Sequence, residues 1–139
     1  MDIIYFNPSK SIQGKSLFEM INIYKNLEDN LIVFHSIDEF TKALMNLKEK
    51  NTIAVIFLDK EDYFLDLYPY KHYLYKVMPI LILPNNRKDI VALGLRYKPF
   101  FMISNYNDFK KIAYTIKLIS SNSDKNITNF DKNVFKPAA

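Results

Sequence analysis

The segment Thr52–Asp59, with the sequence TIAVIFLD, decides the fold class of this chain. Its apolar residues follow one another without polar alternation, which is typical of a strand covered on both faces, as in the parallel sheets of α/β domains. Such sheets bind ligands beyond the carboxyl ends of their strands. The segment therefore predicts a buried central strand and marks Asp59 as the first candidate site residue.

Apolar runs and helical patterns alternate through most of the chain. The predicted strands are Asp2–Phe6, Leu31–His35, Ile53–Leu58, Met78–Leu83 and Phe100–Ile103. The predicted helices cover Ser16–Leu27, the stretch from Ser36 to Lys50, Arg87–Leu93, and a last stretch that begins at Asn107. The segment Glu61–Lys76 predicts one or two short helical pieces, because Pro69 breaks a helix. This alternation indicates a three-layer α/β domain.

Three local signals refine the helix ends. Ser36 and Glu39 form an S-x-x-E capping box, whose side chains satisfy backbone N–H groups at a helix start. Gly94 is predicted to end its helix with a left-handed backbone. Asn107 is predicted to cap the last helix.

The length of 139 residues fits one domain, which we place at residues 1–120. Residues 121–139 lack a convincing hydrophobic period and predict a polar linker and a C-terminal tail. The chain opens with an apolar run too short for a signal peptide, and it has no run of about 20 apolar residues. We therefore expect a cytoplasmic protein that does not enter membranes.

Composition excludes several kinds of chemistry. The chain has no cysteine, and its only two glycines, Gly14 and Gly94, cannot build a phosphate-binding loop or a dinucleotide turn. The two histidines, His35 and His72, are too far apart in sequence to suggest a ligand set. The net charge of +4 is weak evidence for nucleic acid. We expect no cofactor and no bound metal.

The order and spacing of the predicted elements over residues 2–120 resemble the receiver domain of bacterial response regulators. The resemblance implies a flavodoxin-like fold, with five parallel strands in the order 2-1-3-4-5. In that family an acidic pair follows the first strand, the phosphoacceptor aspartate ends the third, a hydroxyl residue ends the fourth, and a Lys-Pro pair ends the fifth. Asp59 matches the phosphoacceptor. The other three places hold Asn7-Pro8-Ser9, Pro84-Asn85 and Ser104-Asn105.

The missing residues predict a degenerate receiver, or pseudo-receiver. Mg²⁺ requires carboxylate oxygens, and a new phosphoryl group requires partners for its charge. We therefore expect a signalling or protein-interaction module that is not an enzyme and is not phosphorylated. Two alternatives remain open: an atypical receiver phosphorylated on Asp59, and a nucleic-acid-binding adaptor. Asp59 can also be a residual metal ligand or a solvated carboxylate that caps the following helix.

The candidate interaction residues are aromatic and basic. Tyrosines interleaved with lysines are suited to a protein interface or to stacking on bases. We favour a protein partner or a homodimer, because acidic residues occur in the same stretch. The candidates are Tyr68, Tyr70, Tyr73, Arg87, Lys88, Arg96, Lys110 and Lys111.

Overall fold

The computed structural model of the chain describes residues 1–47 and 51–122. The strands are β1 (Asp2–Phe6), β2 (Asn30–Phe34), β3 (Thr52–Phe57), β4 (Met78–Ile82) and β5 (Phe101–Ile103). The α-helices are α1 (Ile12–Tyr24), α2 (Ile37–Met45), α3 (Asp62–Leu67), α4 (Lys88–Leu95) and α5 (Phe109–Ser121). Two 3₁₀ helices cover Tyr68–Lys76 and Tyr106–Asp108. From residue 123 onward, the predicted tail lies outside the described residues.

The five strands form one parallel sheet in the order β2-β1-β3-β4-β5. All six residues of β3 are buried, and the strand pairs with β1 on one side and β4 on the other. In this register Val55 lies opposite both Tyr5 and Ile80. The predicted fold class and strand order are confirmed.

The helices cover the sheet in two layers. On one face, Leu17 of α1 and Ile116 of α5 share a buried cluster with Val55. On the other face, Phe40 of α2 and Ile90 of α4 belong to a second cluster, together with residues of α3 and the following 3₁₀ helix. Alternate residues of β3 point into the two clusters, which explains its uninterrupted apolar sequence.

The break near Pro69 is confirmed, and the capping box is confirmed in one of its two predicted bonds. The Ser36 side chain accepts a hydrogen bond from the backbone N–H of Glu39 at 3.4 Å, and α2 begins at the next residue, Ile37. The helical segment after β3 breaks near Pro69, because α3 ends at Leu67 and a 3₁₀ helix takes its place.

The predicted starts of the first and last helices are wrong. α1 begins at Ile12 because Ser11 accepts a hydrogen bond from the N–H of Gly14 at 3.1 Å. Asn107 does not cap α5. Instead, the side chain of Asn105 accepts from the N–H of Asn107 at 2.9 Å and starts the short 3₁₀ helix before α5.

The prediction for Gly94 is also wrong. Gly94 lies inside α4 and has no positive φ. A Cβ at this position would lie 2.7 Å from Sδ of Met102 and 3.1 Å from a methyl carbon of Leu83. Glycine therefore lets α4 approach the sheet closely. The left-handed residue of this region is Lys98, with φ of 51°.

Two buried tyrosines tie helices to the rest of the fold. The hydroxyl of Tyr97 donates to the carbonyl of Phe64 at 2.7 Å, and the hydroxyl of Tyr5 donates to the carbonyl of Gly14 at 2.8 Å. Burial raises the pKa of both phenols above the ordinary value, and nearby Tyr68 adds to the rise at Tyr97. Both side chains therefore remain protonated in the folded protein at alkaline pH.

We expect the free energy of unfolding to fall as pH rises above about 10, the ordinary tyrosine pKa. In that range the unfolded chain releases phenol protons that the folded protein retains, so alkali favours unfolding by up to about 1.4 kcal/mol per pH unit for each buried phenol. Urea denaturation as a function of pH measures this slope. The Tyr97→Phe variant should have a shallower slope. Tyr114→Phe, at a position 58% exposed, is the control and should keep the original slope.

A buried carboxylate connects the end of α5 to the loop before β2. Oγ of Ser120 donates to Oδ1 of Asp29 at 2.7 Å and accepts from the side-chain amide of Asn26 at 3.1 Å. Asp29 and Ser120 are both buried. This network joins segments that are distant in sequence.

Replacing Ser120 by alanine should lower the free energy of unfolding by about 1–2 kcal/mol, because it removes a hydrogen bond to a buried carboxylate. Ser121→Ala is the matched control, since Ser121 is exposed and its bond to Asn26 is at 3.3 Å. Urea denaturation of both variants should show a change below about 0.5 kcal/mol for the control. Equal losses would show that the Ser120–Asp29 bond adds no stability.

Within the described ranges, no helix has the length and apolar character required to cross a membrane.

Candidate functional site

The carboxyl ends of β1 and β3 bring Asn7 and Asp59 to the same edge of the sheet. The N–H of Asn7 donates to the carbonyl of Phe34 at 2.9 Å, and the N–H of Leu58 donates to the carbonyl of Ile82 at 2.9 Å. The sheet hydrogen bonds thus continue one residue beyond the strands. The backbone that carries the candidate site is therefore fixed by the sheet.

Two oxygen atoms at this edge are buried without a hydrogen-bond partner among the described residues. They are Oδ1 of Asn7 and Oδ1 of Asp59. The side chain of Asn7 is buried, and that of Asp59 is half-buried. An unsatisfied buried acceptor costs about 1–3 kcal/mol. The edge therefore presents two acceptors that require donors from water or a ligand.

Two neutral phenols lie near the Asp59 carboxylate. Burial raises the pKa of Tyr5, and the negative charge of Asp59 raises it further. Burial and Asp59 also raise the pKa of Tyr106, whose ring centroid lies 5.4 Å from that of Phe57 at the end of β3. Both hydroxyls remain uncharged at neutral pH and supply no countercharge, and the hydroxyl of Tyr5 already donates to the carbonyl of Gly14.

The loops after β4 and β5 form an open, uncharged cleft of about 490 Å³, which is lined by Pro84, Asn85, Asn86, Ser104, Asn105 and Tyr106. Two of its amide oxygens are already used. Oδ1 of Asn85 accepts from the N–H of Arg87 at 3.0 Å, and Oδ1 of Asn105 accepts from the N–H of Asn107. The other polar side chains of the lining are the Asn86 amide and the hydroxyls of Ser104 and Tyr106, and the lining contains no cation that would balance the charge of a phosphoryl group.

The acidic residues that follow Asp59 do not form a metal-binding cluster with it. Oε1 of Glu61 lies 2.8 Å from Nη2 of Arg87, which also lies 2.9 Å from Oδ2 of Asp89. The hydrogen bond from Arg87 lowers the pKa of Asp89. Across residues 1–47 and 51–122, no group of three or more histidine, aspartate or glutamate side chains has the arrangement of a metal site.

The interpretation of Asp59 as a helix cap is wrong. α3 begins at Asp62, and Glu61, the residue before it, makes no side-chain capping bond. Asp59 lies further upstream, and one of its oxygens faces the buried edge of the sheet. The position of this carboxylate is therefore not explained by helix capping.

The predicted interaction residues fall in three places. Tyr68, Tyr70 and Tyr73 lie on the 3₁₀ helix after α3, and Arg96 follows α4. Tyr68 and Arg96 lie close enough for the cation to lower the pKa of the phenol. Tyr73 packs partly against the core. The remaining four lie elsewhere: Arg87 and Lys88 at the start of α4, and Lys110 and Lys111 on α5, in the other helix layer.

Sequence reasoning missed the two phenols beside Asp59. Tyr5 belongs to an apolar strand, where an aromatic residue is expected in the core whether or not it lies near a site. Tyr106 follows a strand of only three residues. The one feature of the sequence that could have pointed to Tyr106 as a site residue was its position in the loop after a predicted parallel strand.

Comparison of the chain with protein-family models, curated proteins and solved structures finds no match. The fold class therefore rests on the observed sheet topology. Function has to be argued from the residues of the site, because one fold serves many functions.

Asn7 lies directly against α1. A Cβ at Gly14 would lie 2.5 Å from Nδ2 and 2.6 Å from Cγ of Asn7. The carbonyl of Gly14 also accepts the hydrogen bond from Tyr5. Glycine is thus required here by close approach, and it fixes how α1 covers the edge of the site.

We expect Gly14→Ala to lower the free energy of unfolding by about 1–2 kcal/mol, because overpacking outweighs the gain in helix propensity of about 1 kcal/mol. In an Asn7→Ala background the same change should be neutral or stabilising, since the clashing side chain is gone. A double-mutant cycle by urea denaturation measures the difference. Additive effects of the two substitutions would contradict the contact.

Proposed function

We propose that the chain is a receiver-like α/β binding module of signal transduction, without enzymatic activity, that acts by binding a protein partner or a second copy of itself. The observation that carries the proposal is the environment of Asp59 at the mouth of β3. Its neighbours are the neutral side chain of Asn7 and the neutral phenols of Tyr5 and Tyr106. A receiver that cycles through phosphorylation would need a second carboxylate and a cation there.

Electrostatics supports the absence of phosphorylation. Mg²⁺ is bound in proteins through carboxylates, and Asp59 supplies one, whereas Glu61 is paired with Arg87. A phosphoryl group would add a charge of about −1.5 to −2 beside unpartnered acceptors. The uncharged lining of the cleft after β4 and β5 offers no lysine to balance that charge. Transfer to Asp59 would therefore lack the stabilisation that it requires.

Incubation with acetyl phosphate and Mg²⁺, followed by intact-protein mass spectrometry, tests the proposal. The wild-type protein and Asp59→Asn should show the same mass, without added phosphoryl. Isothermal titration with Mg²⁺ should show no binding heat for either protein. A phosphoryl-sized mass gain in the wild type that is absent from Asp59→Asn would establish an atypical receiver instead.

A further inference from the structure

A surface formed by the 3₁₀ helix Tyr68–Lys76 and the end of α4 combines exposed tyrosines with cations. We call it the tyrosine–basic surface, and it consists of Tyr68, Lys71, Tyr75, Arg96 and Lys98. The two tyrosines are 40% and 49% exposed, and Arg96 and Lys98 are also exposed. These residues lie on the helix layer that contains α2, α3 and α4, away from Asp59.

Three polar groups converge at one end of this surface. Nζ of Lys71 lies 3.1 Å from the hydroxyl oxygen of Tyr68 and 4.4 Å from the centroid of its ring. The hydrogen bond from Lys71 lowers the pKa of Tyr68, and Arg96 lowers it further. The phenol oxygen therefore lies beside the ammonium of Lys71 and within the electrostatic influence of Arg96, and these two cations can attract an anionic oxygen of a ligand.

At the other end of the tyrosine–basic surface, a lysine again lies over a tyrosine ring. Nζ of Lys98 lies 4.8 Å from the ring centroid of Tyr75. Between the two ends, the buried Tyr97 packs edge-on against Tyr68, with centroids 6.3 Å apart, and donates to the carbonyl of Phe64. The loop after α4 is thus anchored to α3, so the surface is largely pre-organised for binding.

The cations of this surface have no acidic partner in residues 1–47 and 51–122. The ion pairs there involve neither Lys71 nor Arg96 nor Lys98. Within these ranges, Lys71, Arg96 and Lys98 thus place three positive charges without acidic partners on one surface, where they attract an acidic partner.

We propose that the tyrosine–basic surface binds an acidic segment of a protein partner, rich in aspartate and glutamate. The inference rests on the proposed function as a binding module and names the chemistry of its partner. Nucleic acid fits less well, because Lys71 and Lys98 each lie over one face of a tyrosine and leave at most one face of each ring for stacking on a base. Carboxylates need only the cations, and Arg96 and Lys98 are exposed.

The test uses a fluorescein-labelled peptide in which aspartate and glutamate alternate with leucine and tyrosine. Fluorescence anisotropy at low ionic strength should show binding to the full chain. The same peptide with asparagine and glutamine in place of the acids should not bind. Binding should weaken as salt is added, because exposed charges are screened.

Two triple variants with equal charge change locate the binding surface. Lys71→Gln/Arg96→Gln/Lys98→Gln should weaken peptide binding about tenfold or more, since three ionic contacts are lost. Lys15→Gln/Lys110→Gln/Lys117→Gln removes three exposed cations from α1 and α5 on the other helix layer and should change binding less than about threefold. Thermal unfolding followed by circular dichroism verifies that both variants fold.

Absence of peptide binding, or equal weakening by the two variants, would overturn this inference. Tighter binding of a labelled oligothymidine that depends on the same three cations would replace it with a nucleic-acid partner. These outcomes are separate from the acetyl phosphate experiment. Failed peptide binding leaves the unphosphorylated state of Asp59 untouched, whereas phosphorylation of Asp59 overturns the proposed function even where the peptide binds.

Discussion

The burial of β3 on both faces and along both edges is the constraint on which the rest of this structure depends. All six of its residues are buried, so the strand needs a helix layer above and below and a hydrogen-bonded neighbour on each side. Parallel neighbours require crossover connections, which the helices provide. The same pairing aligns the carboxyl ends of β1 and β3, and it is the reason that Asn7 and Asp59 share one edge of the sheet.

The sequence predicts this framework well because the framework depends on continuous apolar runs. It predicts helix ends less well, because they depend on single hydrogen bonds from side chains to the backbone. Ser11 and Asn105 each start a helical segment in this way, and each stands among other residues that can cap equally well. Gly94 has the residue type of a helix stop, yet its role is close packing against Met102, which becomes visible only after the strands are placed.

The candidate site, too, could be predicted from the sequence only in part. Asp59 follows the most apolar strand, so its position at the edge was predictable. The character of its surroundings was not, because only tertiary structure brings Tyr5 and Tyr106 close enough for the charge of Asp59 to raise their pKa values. On the tyrosine–basic surface, Lys71 lies one helical turn after Tyr68, which is a local pattern. Lys98 contacts Tyr75 only because the segments that lead into β4 and β5 end side by side.

The two ends of α4 differ in whether their cations have acidic partners. At its start, the cation of Arg87 is paired with the carboxylates of both Glu61 and Asp89. At its end, Arg96 and Lys98 have no such partners within the described part of the chain, and their charge adds to that of Lys71. The edge that holds Asp59 has unpartnered acceptors, while the tyrosine–basic surface lies at the other end of α4. Binding at that surface requires no change of charge at Asp59, so the proposed binding module does not depend on phosphorylation of Asp59.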